Sequence, residues 1–144
     1  MTAIHVNVIV DTGPLVAILD RSDEHHAMCL ETLKTVLPPM WTSWPVLTEV
    51  AWLLRDHPKG LQRLWTLVET GFMRIADLPE SCLAEIPQIQ KRFPTLKLQL
   101  ADMTLILIAE LNERNTIFTL DRRDFAVIQK KSRRKLRLLP ESLG

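Results

Sequence analysis

The stretch that decides the fold is Ile4-His5-Val6-Asn7-Val8-Ile9-Val10-Asp11-Thr12-Gly13-Pro14. Its first seven residues are rich in β-branched side chains and predict a buried strand over residues 4–10. Asp11 ends that strand and a helix follows, for which Thr12 is a candidate N-cap and Pro14 suits the first turn. A strand that leads directly into a helix is the repeating unit of α/β proteins.

The rest of the chain continues this alternation. Further short apolar strands are predicted at residues 40–42, 72–76, 116–120 and 136–138. Further helices are predicted at residues 25–37, from 43 through 49, and at 60–70, 79–93 and 98–109, and a turn or short helix at 121–128. Pro87 should kink or split the helix that contains it. No repeat or linker interrupts the pattern, so the 144 residues predict one domain, 1–144, with a three-layer α/β fold and a mostly parallel sheet.

Composition favours a cytoplasmic globular protein. Hydrophobic residues make up 47% of the chain and charged residues 24%, which is ordinary for such domains. No apolar run reaches 18 residues, so no membrane span is predicted. No basic segment followed by an apolar core marks a secretory signal. Cys29 and Cys82 lie in unrelated segments and are expected to be free thiols.

Positive charge is concentrated near the C-terminus. Residues 121–137 contain eight Lys or Arg and two Asp, a local charge of +6, so the rest of the chain sums to −5. A basic region beside an acidic one suits a protein that contacts a polyanion such as a nucleic acid. The alternative is a solvated, charged face ahead of the last strand.

Asp102 is the most unusual residue in the chain. It interrupts the apolar run at residues 98–109, which predicts a buried helix. Its helical neighbours are Leu98, Gln99, Leu105 and Ile106, so its carboxylate should face the apolar side. An ionised carboxylate in such a place is costly unless a partner or a cation compensates it.

Three more acids occupy comparable places: Asp11 and Asp121 each follow a predicted strand, and Glu49 lies within an apolar helix. Asp11 and Asp121 could instead be capping or turn residues, Glu49 a half-exposed helix residue, and Asp102 a carboxylate held by backbone amides. One divalent cation site explains all four acids at once. The carboxyl ends of parallel strands are also where α/β proteins bind ligands.

Four segments resemble the acidic motifs of PIN-domain ribonucleases, in the same order along nearly the whole chain. They are Val10-Asp11-Thr12-Gly13-Pro14-Leu15, Thr48-Glu49-Val50, Leu100-Ala101-Asp102 and Thr119-Leu120-Asp121-Arg122-Arg123-Asp124-Phe125. The similarity is closest to the small VapC-type toxins of toxin–antitoxin pairs. Two mild departures are Met103, where a small residue is commoner, and Pro87 in the central helical segment.

The resemblance implies a PIN-like, Rossmann-like fold and an endoribonuclease that depends on Mg²⁺ or Mn²⁺, with an RNA substrate, a homodimeric state and an antitoxin protein as partner. It places Asp11, Glu49, Asp102 and Asp121 at the catalytic and metal-binding positions, with Asp124 as a further metal ligand. It also assigns Thr12 and Thr119 to positions that orient water or phosphate. We expect the RNA backbone to contact the basic residues Arg122, Arg123, Arg133, Arg134 and Lys135.

Two other functions are compatible with the sequence. One is a non-catalytic interaction module, since aromatic anchors suit interfaces. Core packing is nevertheless the expected role of most of the four tryptophans, Trp41, Trp44, Trp52 and Trp65. The other is a metal-dependent phosphatase or DNA nuclease that uses the same acids. Metal-free cleavage is not favoured, because the histidines are not well placed for it and three of the four are expected at the surface.

Overall fold

A computed structural model describes residues 3–142 and contains one five-stranded sheet. The strands are β1 (Val8–Val10), β2 (Met40–Thr42), β3 (Met73–Ile75), β4 (Thr116–Phe118) and β5 (Arg137–Leu139). The α-helices are α1 (Thr12–Leu19), α2 (His26–Leu33), α3 (Trp44–Leu53), α4 (Pro58–Glu69), α5 (Ile86–Arg92), α6 (Leu100–Leu111) and α7 (Arg122–Lys131). A 3₁₀ helix, Glu80–Glu85, precedes α5.

The sheet is parallel throughout, in the order β3-β2-β1-β4-β5. The chain runs outward from β1 to β3, then returns past β1 to β4 and β5. Because such crossovers are right-handed, the reversal places the helices before β3 and those after it on opposite faces. The predicted α/β/α architecture is therefore confirmed. The reversal also creates a switch point between β1 and β4, where ligands bind in such sheets.

The core lies at the centre of the sheet. The three residues of β1 are fully buried, as expected for a central strand covered on both faces. α6 is buried along most of its length and contacts β1, while α1 packs against α2, α3 and α4. This packing fixes the carboxyl ends of β1 and β4 and the start of α6 relative to one another. Cys29 and Cys82 are free thiols. No helix within residues 3–142 is long and apolar enough to cross a membrane.

The first strand is shorter than its composition predicts. Ile4 and Val6 are exposed, and Asn7 has a positive φ of 53°, which ends the extended run before Val8. His5 forms a separate bridge with Val36 instead. α2 ends at Leu33 rather than at residue 37, because Lys34 and Thr35 form a turn that leads into the bridge at Val36. The predicted strand over residues 4–10 and the helix over 25–37 were therefore both too long.

Two predictions about helix boundaries have different outcomes. Thr12 is not the N-cap of α1; Asp11 is, because its Oδ1 accepts a hydrogen bond of 2.7 Å from the Thr12 backbone N–H. Pro87 does divide its segment as predicted. It lies in the first turn of α5, where a missing N–H costs nothing, and a 3₁₀ helix stands before it.

Most of the tryptophans are not in the core, so that prediction was wrong. Trp44 and Trp52 are 69% and 64% exposed, Trp65 is also exposed, and only Trp41 packs against the core. The helical period explains this for α3, whose buried side chains, Val46, Leu47 and Val50, lie on the opposite side from Trp44 and Trp52. These exposed rings make an interaction surface a stronger hypothesis than the sequence alone did.

Candidate functional site

Five carboxylates from four parts of the fold lie near the carboxyl edge of the sheet and act on one another electrostatically. Two follow strands and cap helices, one lies within α3, and two lie in the first turns of α6 and α7; they are Asp11, Asp121, Glu49, Asp102 and Asp124. The capping roles considered for Asp11 and Asp121 are therefore real. They coexist with membership in the cluster, because a cap uses only one carboxylate oxygen.

Thr119 joins the two acids that follow β1 and β4. Its side chain is fully buried, and its Oγ1 donates to Asp11 Oδ2 at 2.8 Å while accepting from the Asp121 backbone N–H at 3.0 Å. Thr12 acts similarly on α3, since its Oγ1 donates to Glu49 Oε2 at 2.8 Å. Both hydroxyls thus hold carboxylates in place. Their predicted role toward water or phosphate is untested.

Asp102 lies in the first turn of α6 rather than one turn inside it, because α6 begins at Leu100. Its Oδ2 accepts a 2.9 Å hydrogen bond from the Gln99 backbone N–H, and the Gln99 side chain completes the capping box. The carboxylate is half-buried and faces the other acids, not a purely apolar side. A backbone amide therefore satisfies one oxygen of Asp102, as the structural alternative proposed.

Burial and the charges of neighbouring carboxylates favour the protonated forms of Asp11 and Asp102. Burial raises the pKa of Asp11 to about 6, against hydrogen bonds from Thr119 and Thr12 that lower it; the charges of Asp102 and Asp121 raise it further. The pKa of Asp102 is also raised, first by burial and then by the charges of Asp121, Glu49 and Asp124. The five acids therefore share one electrostatic environment.

The donor set fits a hard divalent cation. None of the five carboxylates forms a salt bridge with a Lys or Arg among residues 3–142. Oxygen ligands of this charge are what Mg²⁺ and Mn²⁺ prefer. In their present positions, no three His, Cys, Asp or Glu side chains in the described part of the chain are arranged to hold a metal ion. Binding would therefore require side-chain rotation toward a common centre.

The basic residues predicted to contact RNA fall into two separate groups. Arg122 and Arg123 begin α7 beside Asp121, and the Arg122 Nε and one terminal nitrogen are buried without a hydrogen-bond partner. The second group lies at the opposite edge of the sheet and comprises Arg133, Arg134 and Lys135.

Two contacts fix the position of this second group. Arg134 donates to the Glu110 carbonyl and pairs with Glu113 at 3.2 Å. Glu110 is eight residues beyond Asp102 on α6, a rise of about 12 Å. The structure therefore does not bring this group together with the acids.

Two supporting contacts were missed at the level of sequence. The Gln99 cap had a signal, since Gln-x-x-Asp before an apolar run has capping-box spacing. The other contact joins Ser43 Oγ, at the N-cap of α3, to Thr104 Oγ1 on α6 at 2.7 Å. It ties the helix with Glu49 to the helix with Asp102. No local pattern could predict it, because the two residues are 61 positions apart.

The Thr119 bridge predicts a loss of stability on removal of its hydroxyl. Thr119→Val keeps the shape of the side chain but leaves Asp11 Oδ2 and the Asp121 N–H without that partner. We expect the free energy of unfolding to fall by about 1–3 kcal/mol. Urea denaturation in EDTA measures this. Thr42→Val is the matched control, because Thr42 is equally buried and, within residues 3–142, its hydroxyl makes a single long hydrogen bond, 3.4 Å to Val10 O. Equal losses in both variants would contradict a special role for the bridge.

The parallel sheet and the acids at its switch point define an α/β protein with a cation-compatible site. The chain belongs to the PIN domain family, whose model matches residues 8–131. It is 24% identical over 124 residues to Ribonuclease VapC26 of Mycobacterium tuberculosis, a match that covers 85% of this chain and 92% of that protein. The crystal structure of Mycobacterium tuberculosis VapC20, described as a Sarcin-Ricin loop cleaving toxin, aligns with a TM-score of 0.72 at 17% identity, over 84% of this chain and 95% of that one. This structural likeness shows the fold.

Proposed function

We propose that this protein is an endoribonuclease that depends on Mg²⁺ or Mn²⁺ and acts as the toxin of a toxin–antitoxin pair. The observation that carries the proposal is the cluster of five carboxylates without any cationic partner among the described residues. A cluster that only stabilised the fold would be expected to include Lys or Arg. The PIN domain match supports a nuclease, and the names of the two VapC proteins support RNA as the substrate.

Asp11, Glu49, Asp102, Asp121 and Asp124 would hold the cation. When bound, a divalent cation of this kind polarises the phosphodiester and lowers the pKa of water enough to provide a nucleophile at neutral pH. The two threonines keep their partner carboxylates oriented toward the cluster. We expect products with a 5′-phosphate and a 3′-hydroxyl.

Arg122 and Arg123 lie next to Asp121 at the start of α7, where they can attract the RNA backbone that the bare acids repel. The second basic group lies at the other end of α6, so only an RNA long enough to extend there from the acidic site would contact Arg133, Arg134 and Lys135. Arg134 would also have to leave its pairing with Glu113.

A protein partner is also part of the proposal. The exposed rings of Trp44, Trp52 and Trp65 suit an interface with an antitoxin or with a second copy in a homodimer. A purely non-catalytic interaction module is disfavoured, because such a module has no use for an unpaired acidic cluster. DNA and small phosphoesters remain the alternative substrates.

Cleavage assays in one buffer test this proposal. We expect single-stranded RNA to be cut in the presence of Mn²⁺ or Mg²⁺ and to stay intact in EDTA, with activity restored by excess Mn²⁺. DNA of the same sequence and a small phosphomonoester should react at least about a hundredfold more slowly. Full RNA cleavage in EDTA would exclude the metal mechanism, and faster hydrolysis of DNA would replace the assigned substrate.

A further inference from the structure

An open cavity with both polar and apolar lining residues lies away from the acidic site, along β2 and β3. Its volume is about 450 Å³. Residues from the sheet, from α4, from the end of α6 and from the following loop line it, and those used below are Trp41, Arg74, Asp77, Asn112 and Arg114. Two of them are arginines, and Trp41 is an aromatic residue that packs partly against the core and partly lines the cavity.

Arg114 lies flat on Trp41, with its guanidinium carbon 3.8 Å from the ring centroid. Its Nε is shielded from solvent and has no hydrogen-bond partner. Its terminal nitrogens are not shielded and make no hydrogen bond within residues 3–142. Arg74 is exposed and forms no salt bridge with an acid of the described chain. The cavity therefore presents two arginines that form no salt bridge among the described residues, one of them placed over an aromatic ring, together with one carboxylate, Asp77.

The chain contains a similar stack without a cavity, which shows what is unusual here. The guanidinium carbon of Arg55 lies 4.0 Å from the centroid of the Trp52 ring, but one of its terminal nitrogens donates to the Trp52 carbonyl at 2.9 Å. Arg55 is thus satisfied by the helix that it follows, and both side chains stand exposed at the surface. Arg114 has no such partner, so its hydrogen-bonding capacity is open to a ligand.

We propose that this cavity binds one nucleotide of a single-stranded RNA chain, outside the catalytic site. Nucleobases stack on guanidinium planes and aromatic rings in this way, and paired arginines bind phosphate oxygens. Asp77 and Asn112 lie on the lining and offer hydrogen-bonding groups to a base edge. The inference rests on the proposed function, because it gives the RNA substrate a second point of attachment.

The position of the cavity sets the length of RNA that can use it. Asn112 caps the end of α6, ten residues beyond Asp102, which corresponds to about 15 Å along the helix. A mono- or dinucleotide can occupy either the cavity or the acidic site, but not both. A longer chain that lies across α6 can occupy both, so the cavity should affect long substrates and spare short ones.

Binding of a labelled 12-nucleotide single-stranded RNA in EDTA tests the proposal without cleavage. We expect Arg114→Gln to weaken binding about tenfold. Arg114→Lys should weaken it nearly as much, because Lys keeps the charge but loses the plane that stacks. Arg55→Gln is the matched control and should bind as the wild type does. AMP should compete with the RNA at lower concentration than inorganic phosphate, and thermal unfolding verifies that each variant is folded.

The outcomes separate this inference from the proposed function. If the wild type cleaves RNA with Mn²⁺ but Arg114→Gln binds the 12-mer like the wild type, the cavity is not a nucleotide site and only this inference fails. Equal losses in Arg114→Gln and Arg55→Gln, or full rescue by Arg114→Lys, would indicate diffuse charge attraction and also overturn it. A wild type that neither binds nor cleaves RNA would contradict both proposals.

Discussion

Asp102→Asn is expected to lower the rate of metal-dependent RNA cleavage by about a hundredfold or more while leaving the fold intact. The neutral side chain removes one negative charge from the proposed cation site. The cation, and the water and phosphate that it orients, would then be misplaced. It retains an oxygen that can accept the Gln99 N–H at the start of α6, so the capping contact survives. Cleavage of RNA with Mn²⁺ measures the loss. Asp56→Asn, at an exposed position outside the cluster, is the control and should be fully active.

The same variant should respond to pH and metal differently from the wild type. Because the folded-state pKa of Asp102 is raised, ionisation opposes folding, and the wild type loses stability as the pH rises through that value. In EDTA near pH 7 the variant should therefore be as stable as the wild type or slightly more so. Added Mn²⁺ should raise the melting temperature of the wild type more than that of the variant. Clear destabilisation in EDTA together with an unchanged response to Mn²⁺ would remove Asp102 from the site.

Arg92→Met should cause the largest loss of stability among the substitutions considered. Arg92 and Glu110 form a two-pronged pair, with distances of 2.8 and 2.7 Å, and their side chains are only 20% and 10% exposed. Met retains the apolar stem but leaves the Glu110 carboxylate without its main cation, at a cost of about 3 kcal/mol. Urea denaturation at pH 7 measures it.

One control variant and the pH dependence identify the mechanism. Burial raises the pKa of Glu110, but hydrogen bonds from Arg92 and Arg133 outweigh it, so the pKa lies below its ordinary 4.5. The stability that this pair provides is therefore present above pH 4.5 and is lost as the pH falls through the lower, folded-state value. Lys34→Met breaks the exposed pair with Glu31 and should cost under about 1 kcal/mol. A loss in Arg92→Met that did not shrink in acid would contradict the ion-pair account.

The sequence predicted the architecture better than the ends of its elements. Alternating strands and helices indicated a parallel sheet, and β2 and the start of α3 at Ser43 fell where they were expected. The predicted first strand was too long at residues 4–7, because β propensity says nothing about the positive φ of Asn7. The prediction that Trp44 and Trp52 pack in the core was wrong. When apolar residues surround a helix, hydrophobicity does not indicate which of its faces is buried.

The candidate site was predictable by residue type but not by contact. Unpaired acids at strand ends and in apolar helices could be selected from the sequence. The partners that orient them could not, because Thr119 with Asp11 and Ser43 with Thr104 are joined only by the folded chain. For the basic residues the error was different: residues that the charge pattern placed in one group are separated in the fold. Charge pattern grouped Arg122 with Arg134, whereas the length of α7 separates them.

The contact between Thr119 and Asp11 spans 108 positions of the chain and has a consequence for protein synthesis. β1 and α1 leave the ribosome before β4 does, so Asp11 lacks its hydroxyl partner, and β1 lacks the neighbouring strand β4, until residue 119 has emerged. Asp121 and Asp124 emerge later still. A nascent chain therefore cannot assemble the acidic cluster before residue 124 has been translated and has left the ribosome, so any activity that needs the whole cluster begins only after that point.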